Sequence, residues 1–169
     1  MSTSTPSVSI VIPVYNGADT IPACLESLLQ QTYPTDAYDI IVVENGSTDN
    51  TTQVVEQYPI RLFHSEPRGP APARNLGLVK SEADIVAYTD ADCIADPNWL
   101  SELVKPYADP EIGGVGGAIL SYDHPDRNIV EVFSDEHSPL VNFVSGENEF
   151  LPHLYTANAS YRRDLLNEI

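Results

Sequence analysis

Residues 88–93, YTDADC, place two carboxylates two positions apart at the end of an apolar run. In an extended chain alternate side chains share a side, so Asp90 and Asp92 point together if strand geometry persists through the turn. Carboxylates held that close repel one another unless they are protonated, separated by water or neutralised by a cation. Mg2+ or Mn2+ meets that demand through hard oxygen ligands and also bridges to phosphate oxygens. An Asp-x-Asp alone is more often the mark of a capped turn or a solvated loop than of a metal site, so its companions decide its meaning.

Two further stretches follow apolar runs in the same manner: Pro13-Val14-Tyr15-Asn16 and Glu44-Asn45-Gly46-Ser47. If the runs are parallel strands, all three ends share one edge of a sheet, and open α/β sheets bind ligands at that edge. A carboxylate at Glu44 suits recognition of a base or of hydroxyls, leaving Asp90 and Asp92 for ribose, metal and diphosphate. Asn45-Gly46 reads as a tight turn that uses glycine's permissive backbone. Positive charge comes from PRGPAPARNLG, where Arg74 falls at or inside the start of a helix. Its donor fork matches a phosphate or a carboxylate, and an ordinary acid–base surface pair is the competing reading. Asn75 suits a bridge between loops rather than a base, and Gly77 suits close packing of helix on sheet.

Other chemistries find little support. The four histidines and Ser160 form no triad or nucleophile elbow, and no P-loop follows the glycines of residues 113–117. Those glycines read as a bent strand or a close sheet contact. Cys24 and Cys93 cannot build a disulfide framework, and Cys93 gains no activated thiolate merely by adjoining the carboxylates. Eight Lys and Arg against 25 Asp and Glu give a net charge of −17, which disfavours nucleic acid and anionic membrane surfaces as partners. The N-terminus has no basic leader and Pro13 interrupts its apolar run, so no transmembrane segment is expected. A cytoplasmic location is expected, with membrane association only through a partner or a further segment.

The positioning elements follow from periodicity. SVSIVIPV reads as a buried strand, residues 15–19 as a loop, and Ile21, Leu25, Leu28 and Leu29 as a helix with Pro22 in its first turn. A strand is expected over residues 39–43, a helix entered through Ser47, and a third strand over residues 60–63. A helix over residues 71–80, a strand through ADIVAYT, a helix bearing Trp99 and Leu103, and a strand at GGVGGAIL complete the alternation. This predicts an α/β fold, a mostly parallel sheet flanked by helices. With 42% hydrophobic and 20% charged residues, 169 residues form one domain. Residues 121–154 break the rhythm, as a loop over the ligand crevice or a surface insertion. TANASYRRDLLNEI then reads as an extended segment entering a helix. That helix reaches Ile169 after barely two turns, which sets the expectation of a domain that continues further.

Taken in order, these motifs resemble the family-2 glycosyltransferases with a glycosyltransferase A-type, Rossmann-like fold. VSIVIPVYNGADTIPACLESLLQQTYP, DIIVVENGSTDNT, RGPAPARNLGLVKSEADIVAYTDADCIADPNWL, GGVGGAI and TANASYRRDLLNEI carry the resemblance over most of the chain. It implies a nucleotide-binding portion over roughly residues 7–120 and a partial acceptor-side portion over 121–169. It further implies that Pro13 and Tyr15 frame a nucleotide pocket and that Glu44 takes the base-recognition position. Arg74 organises the pocket, Asp90 contacts the nucleotide sugar or its neighbours, and Asp92 is the stronger ligand for Mg2+ or Mn2+. Asn45 departs from the second aspartate frequent in the family. The implied reaction passes a sugar from a nucleoside diphosphate sugar, a UDP-sugar slightly favoured, to a hydroxyl on a saccharide, lipid-linked or small-molecule acceptor, with inversion. The catalytic base is unassigned: Asp164 reads as a helix or cap residue, and it or an acidic residue in Glu147 to Glu149 would be the one to test. A donor-binding but catalytically incomplete fragment is one alternative. A sugar nucleotidyltransferase is another, disfavoured by the lack of a basic glycine-rich triphosphate loop.

Overall fold

The computed structural model describes residues 5–120 and 154–166. β1 (Val8–Val14) is buried except at Pro13, and β2 (Tyr38–Glu44) lies parallel to it, with Val8 opposite Tyr38 and Val14 opposite Glu44. Between them runs α1 (Ile21–Leu29), which buries Ile21, Cys24, Leu25 and Leu28 and carries a proline in its first turn. α2 (Thr51–Val55), β3 (Arg61–His64), α3 (Pro70–Lys80) and β4 (Ile85–Thr89) follow. α4 (Trp99–Val104) then runs into a 3-10 turn (Lys105–Ala108), followed by β5 (Gly114–Gly116), β6 (Asn158–Arg162) and α5 (Arg163–Leu166).

The strands form one sheet in the order β3-β2-β1-β4-β6-β5. β1 to β4 are parallel, whereas β6 is antiparallel to both of its neighbours. The chain moves outward from β1 to β3 and returns to place β4 on β1's other side, so the order reverses between β1 and β4. Such a switch point opens a crevice at the carboxyl edge, because the connections leave it in opposite directions.

Burial on both faces explains why β1, β2 and β4 are continuous apolar runs. Ile10, Ile12, Val42 and Ala87 face a core shared with α1, α4 and Tyr107, while Val11, Ile41, Val43 and Val86 face Ala73 of α3. Gly77 makes that second contact close: a Cβ there would stand 2.2 Å from Val11 Cγ1.

Two expectations are corrected. The second helix is not entered through Ser47; it begins at Thr51, because Ser47 spends its amide on Glu44 and its hydroxyl oxygen on the Asn16 amide. The glycine-rich segment forms a strand of only three residues, at the sheet edge, and pairs with β6 rather than with a parallel neighbour. Close contact does occur there, since a Cβ on Gly117 would fall 2.4 Å from Asn158 Nδ2. The excursion expected over residues 121–154 lies outside the described residues except for Leu154.

Candidate functional site

The carboxyl ends of β1, β2 and β4 enclose a cleft of about 830 Å3, lined among others by Pro13, Tyr15, Asn45, Arg68, Arg74, Asp90 and Asp92. Of the candidate residues, Pro13, Tyr15, Arg74, Asp90 and Asp92 therefore converge on the cleft, whereas Glu44 is not part of its lining and adjoins it only through Asn45. Tyr15 is half exposed at the rim.

The loop after β1 is joined to the loop after β2. Asn16 adopts a left-handed backbone, φ 49°, which asparagine tolerates better than most residues. Its amide donates to Ser47 Oγ at 3.0 Å, and its Oδ1 accepts from the Thr48 amide at 2.8 Å. The Gly17 amide donates to Thr51 Oγ1 at 2.9 Å and the Ala18 amide to Asp49 Oδ2 at 3.3 Å. Hydrogen bonds, that of the Thr51 hydroxyl foremost, hold the Asp49 carboxyl below its ordinary value.

Glu44 is buried, 6% exposed, yet ionised. Burial pushes its carboxyl up, but the Ser47 amide and hydroxyl, His64 and the Gly46 amide outweigh that and bring it down to about 2. His64 Nδ1 lies 3.1 Å from Oε2. The carboxylate thus braces the turn in which Gly46 takes φ 79°. Asn45 Oδ1 accepts from the Gly69 amide at 2.9 Å, fastening the entry of α3 to the end of β2.

α3 projects Arg74 from its second turn, where Nη2 reaches Asp90 Oδ1 at 2.7 Å. Both predicted roles of Arg74, carboxylate partner and pocket organiser, are compatible with that placement. At Asp90 the extended geometry ends: the Cys93 amide donates to the Asp90 carbonyl at 3.1 Å, closing a turn. Asp90 and Asp92 therefore meet the cleft through a turn rather than through strand alternation. Beneath it Cys24 Sγ contacts the Asp90 carbonyl at 3.5 Å, and burial pushes this thiol up to about 12 and the Cys93 thiol up as well. Neither is an activated thiolate.

Among the described residues no three His, Cys, Asp or Glu side chains cluster as a metal cage. The cleft offers two carboxylates, and among the described residues the Asp92 group meets only the Cys93 thiol, 3.9 Å away. That donor set fits Mg2+ or Mn2+, which take one or two protein carboxylates and complete their shell with phosphate oxygens and water. It does not fit a closed structural zinc site.

Asp164 stands elsewhere. β6 runs from Asn158, opposite Thr89, to Arg162, opposite Ile85, so α5 starts at the sheet edge away from the cleft. Asp164 is the second residue of α5 and its Oδ1 accepts from the adjoining Leu165 amide at 3.0 Å, so it lies within the helix and does not cap it. Ser160 is buried against the Tyr107 hydroxyl, 2.9 Å away. Sequence reading includes Asn16 and Arg68 in their motifs without giving either a role of its own, and it passes over Asp49; Asn16 before Gly17 is the visible cue, as a pair suited to left-handed backbone.

With this geometry in view, the sequence matches glycosyl transferase family 2 over residues 9–169, and the chain belongs to that family. It is 36% identical to glycosyltransferase AglE of Haloferax volcanii, across 100% of this chain and 57% of that protein. It is 40% identical to the uncharacterized glycosyltransferase YibD of Escherichia coli, across 62% of this chain and 31% of that one. Among solved structures, the mannosyltransferase PcManGT of Pyrobaculum calidifontis, in complex with GDP-Man and Mn2+, superposes with a TM-score of 0.74. The two are 29% identical over 98% of this chain and 47% of that one. S. aureus TarS in complex with UDP shares the fold, with a TM-score of 0.69 and 24% identity over 96% of this chain and 48% of that one. The chain thus spans about half the length of the proteins it resembles. Among the described residues no helix is long and apolar enough to cross a membrane.

Proposed function

We propose that this chain binds a nucleoside diphosphate sugar in the cleft and forms the donor side of an enzyme that passes the sugar to an acceptor hydroxyl, with inversion. The observation that carries the reading is the meeting of Asp90, Asp92 and Arg74 at the switch point between β1 and β4, beside the Asn45 turn. Pro13 and Tyr15 frame the nucleotide, and Glu44, by bracing residues 44–47, shapes the side on which the base lies. Arg74 fixes the orientation of Asp90 through its 2.7 Å contact. Asp90 and Asp92 would hold Mg2+ or Mn2+, Asp92 more directly because among the described residues no cation engages it. When bound, such an ion offsets the charge that develops on the departing diphosphate. The GDP-Man and Mn2+ bound by PcManGT support this assignment.

The acceptor is a hydroxyl-bearing saccharide, lipid-linked or small molecule, that attacks the anomeric carbon opposite the diphosphate. Among the described residues no carboxylate is assigned as the base that takes its proton, and Asp164 lies at the wrong edge. Holding donor and acceptor in line supplies much of the rate, so the donor cleft alone is a binding device. Calorimetric titration with UDP, GDP, UDP-sugars and GDP-sugars, with and without Mn2+, tests the reading. Mn2+-enhanced binding of at least one nucleoside diphosphate is expected. A folded protein that binds none overturns it.

A further inference from the structure

We propose that Arg68 is a specificity-determining residue of the cleft, which selects donors whose base carries carbonyl oxygens and rejects adenine. This rests on the donor-binding reading above and adds the part of the donor that the carboxylates do not address.

Three observations carry it. First, Arg68 is an uncommitted cation. Arg61, Arg74, Lys80, Lys105, Arg162 and Arg163 are each held by a carboxylate, a main-chain carbonyl or an aromatic ring. Among the described residues no such partner holds Arg68, although it lines the cleft of a protein with net charge −17. A guanidinium left unpaired amid so many carboxylates is available to a ligand.

Second, though exposed, it lies against a defined part of the cleft wall. A Cβ on Gly46 would come within 2.5 Å of Arg68 Nε, so the guanidinium rests on the bare backbone of the turn after β2. β2 and β4 are separated by β1, roughly 10 Å at ordinary strand spacing. Asp90 and Asp92, at the β4 end, define where a diphosphate and its cation lie. A group two strands away therefore meets the nucleoside and not the metal-bound phosphates.

Third, the free groups there are donors. Asn45 lines the cleft and its Oδ1 is taken by the Gly69 amide, so the group it has left is the NH2 donor. The Glu44 carboxylate is consumed by Ser47 and His64. What remains is the Arg68 fork and an amide NH2, both acceptor-seeking. Uracil presents carbonyl oxygens, and guanine presents O6 beside N7, the pair that arginine engages bidentately. Adenine presents an amine beside its ring nitrogen, leaving a donor facing a donor.

The experiment is calorimetric titration of the full chain, with Mn2+ present, against UDP, GDP and ADP. Wild type, Arg68→Ala and Arg68→Lys are compared, with folding checked by circular dichroism. UDP or GDP is expected to bind wild type at least roughly tenfold more tightly than ADP. Arg68→Ala is expected to bring the three within about threefold, mainly by loss of the preferred ligand. Arg68→Lys, which keeps the charge and loses the fork, is expected to restore little of the preference. Equal weakening of all three ligands in Arg68→Ala, rescued by lysine, would mean a contact with the phosphates and overturns the proposal. Unchanged affinities, or a wild type that prefers ADP, overturn it as well. A wild type that binds none of the three removes the donor-binding reading and this inference together, whereas a wild type that binds them and is insensitive to Arg68 removes only the inference.

Discussion

Arg74 Nη2 stands 2.7 Å from Asp90 Oδ1, while its Nε is buried without an acceptor among the described residues. The pair links the second turn of α3 to the end of β4, the two elements that flank the switch point on one face. Tyr88 lies below it in the core, its hydroxyl pushed up to about 12 by burial. The guanidinium is thus held at its Nη2 end by Asp90.

Arg74→Ala should weaken nucleoside diphosphate binding by roughly tenfold or more, since a charge-assisted contact and the orientation of Asp90 are lost together. Its thermal stability should change by no more than about 1 kcal/mol, the ordinary scale for a partly exposed pair. Titration beside a thermal melt checks both, and unaltered affinity in the folded variant would take the pair out of the binding site.

Asp92→Asn keeps size and removes charge. Because Asp92 is exposed and among the described residues supports no other element, the melt should stay put while the Mn2+-dependent part of nucleotide affinity falls sharply. Asp90→Asn should lose affinity both with and without Mn2+, because it also releases Arg74. The opposite pattern would exchange the two roles.

Glu44 gives a pH signature. Its folded-state carboxyl sits at about 2 against an ordinary 4.5, so the stability it contributes is fully present above 4.5 and is lost as pH falls toward 2. Glu44→Gln should cost on the order of 1–3 kcal/mol near neutrality, and the gap to wild type should close across that window. Urea titrations at several pH values measure the gap; a constant difference down to pH 2 would contradict the assignment.

Gly77→Ala should destabilise by about 1–3 kcal/mol, because the new methyl enters the volume of Val11 in a close-packed layer. Combined with Val11→Ala, which vacates that volume, the loss should be less than the sum of the single losses. Strict additivity in the melts would show that the contact relaxes by another route.

The parts of this arrangement that were legible in the sequence are those whose environment leaves a compositional trace. β1, β2 and β4 are buried on both faces and so read as unbroken apolar runs. Their ends could be aligned because parallel strands must share an edge. β6 was visible only as an extended stretch: NASYR carries little apolar signal, and its antiparallel place between β4 and β5 is decided by partners some 70 or 45 residues earlier. The start of α2 was misjudged because residues 47–52 are nearly all cap-competent, and bonds to Asn16 and Glu44 choose among them. Nor does a sequence disclose which arginine stays unpaired, since that depends on every other ion pair.

The joining of residues 16–18 to residues 47–51 also bears on the entropy of binding. Side chains of Asn16, Ser47, Asp49 and Thr51 already hold main-chain amides of the facing loop, so these two walls lose little freedom when a ligand arrives. Ordering such groups at the moment of association would otherwise cost roughly 0.5–1.5 kcal/mol for each immobilised side chain. The cost is met during folding instead, which leaves half-exposed Tyr15 at the rim outside that prearranged frame.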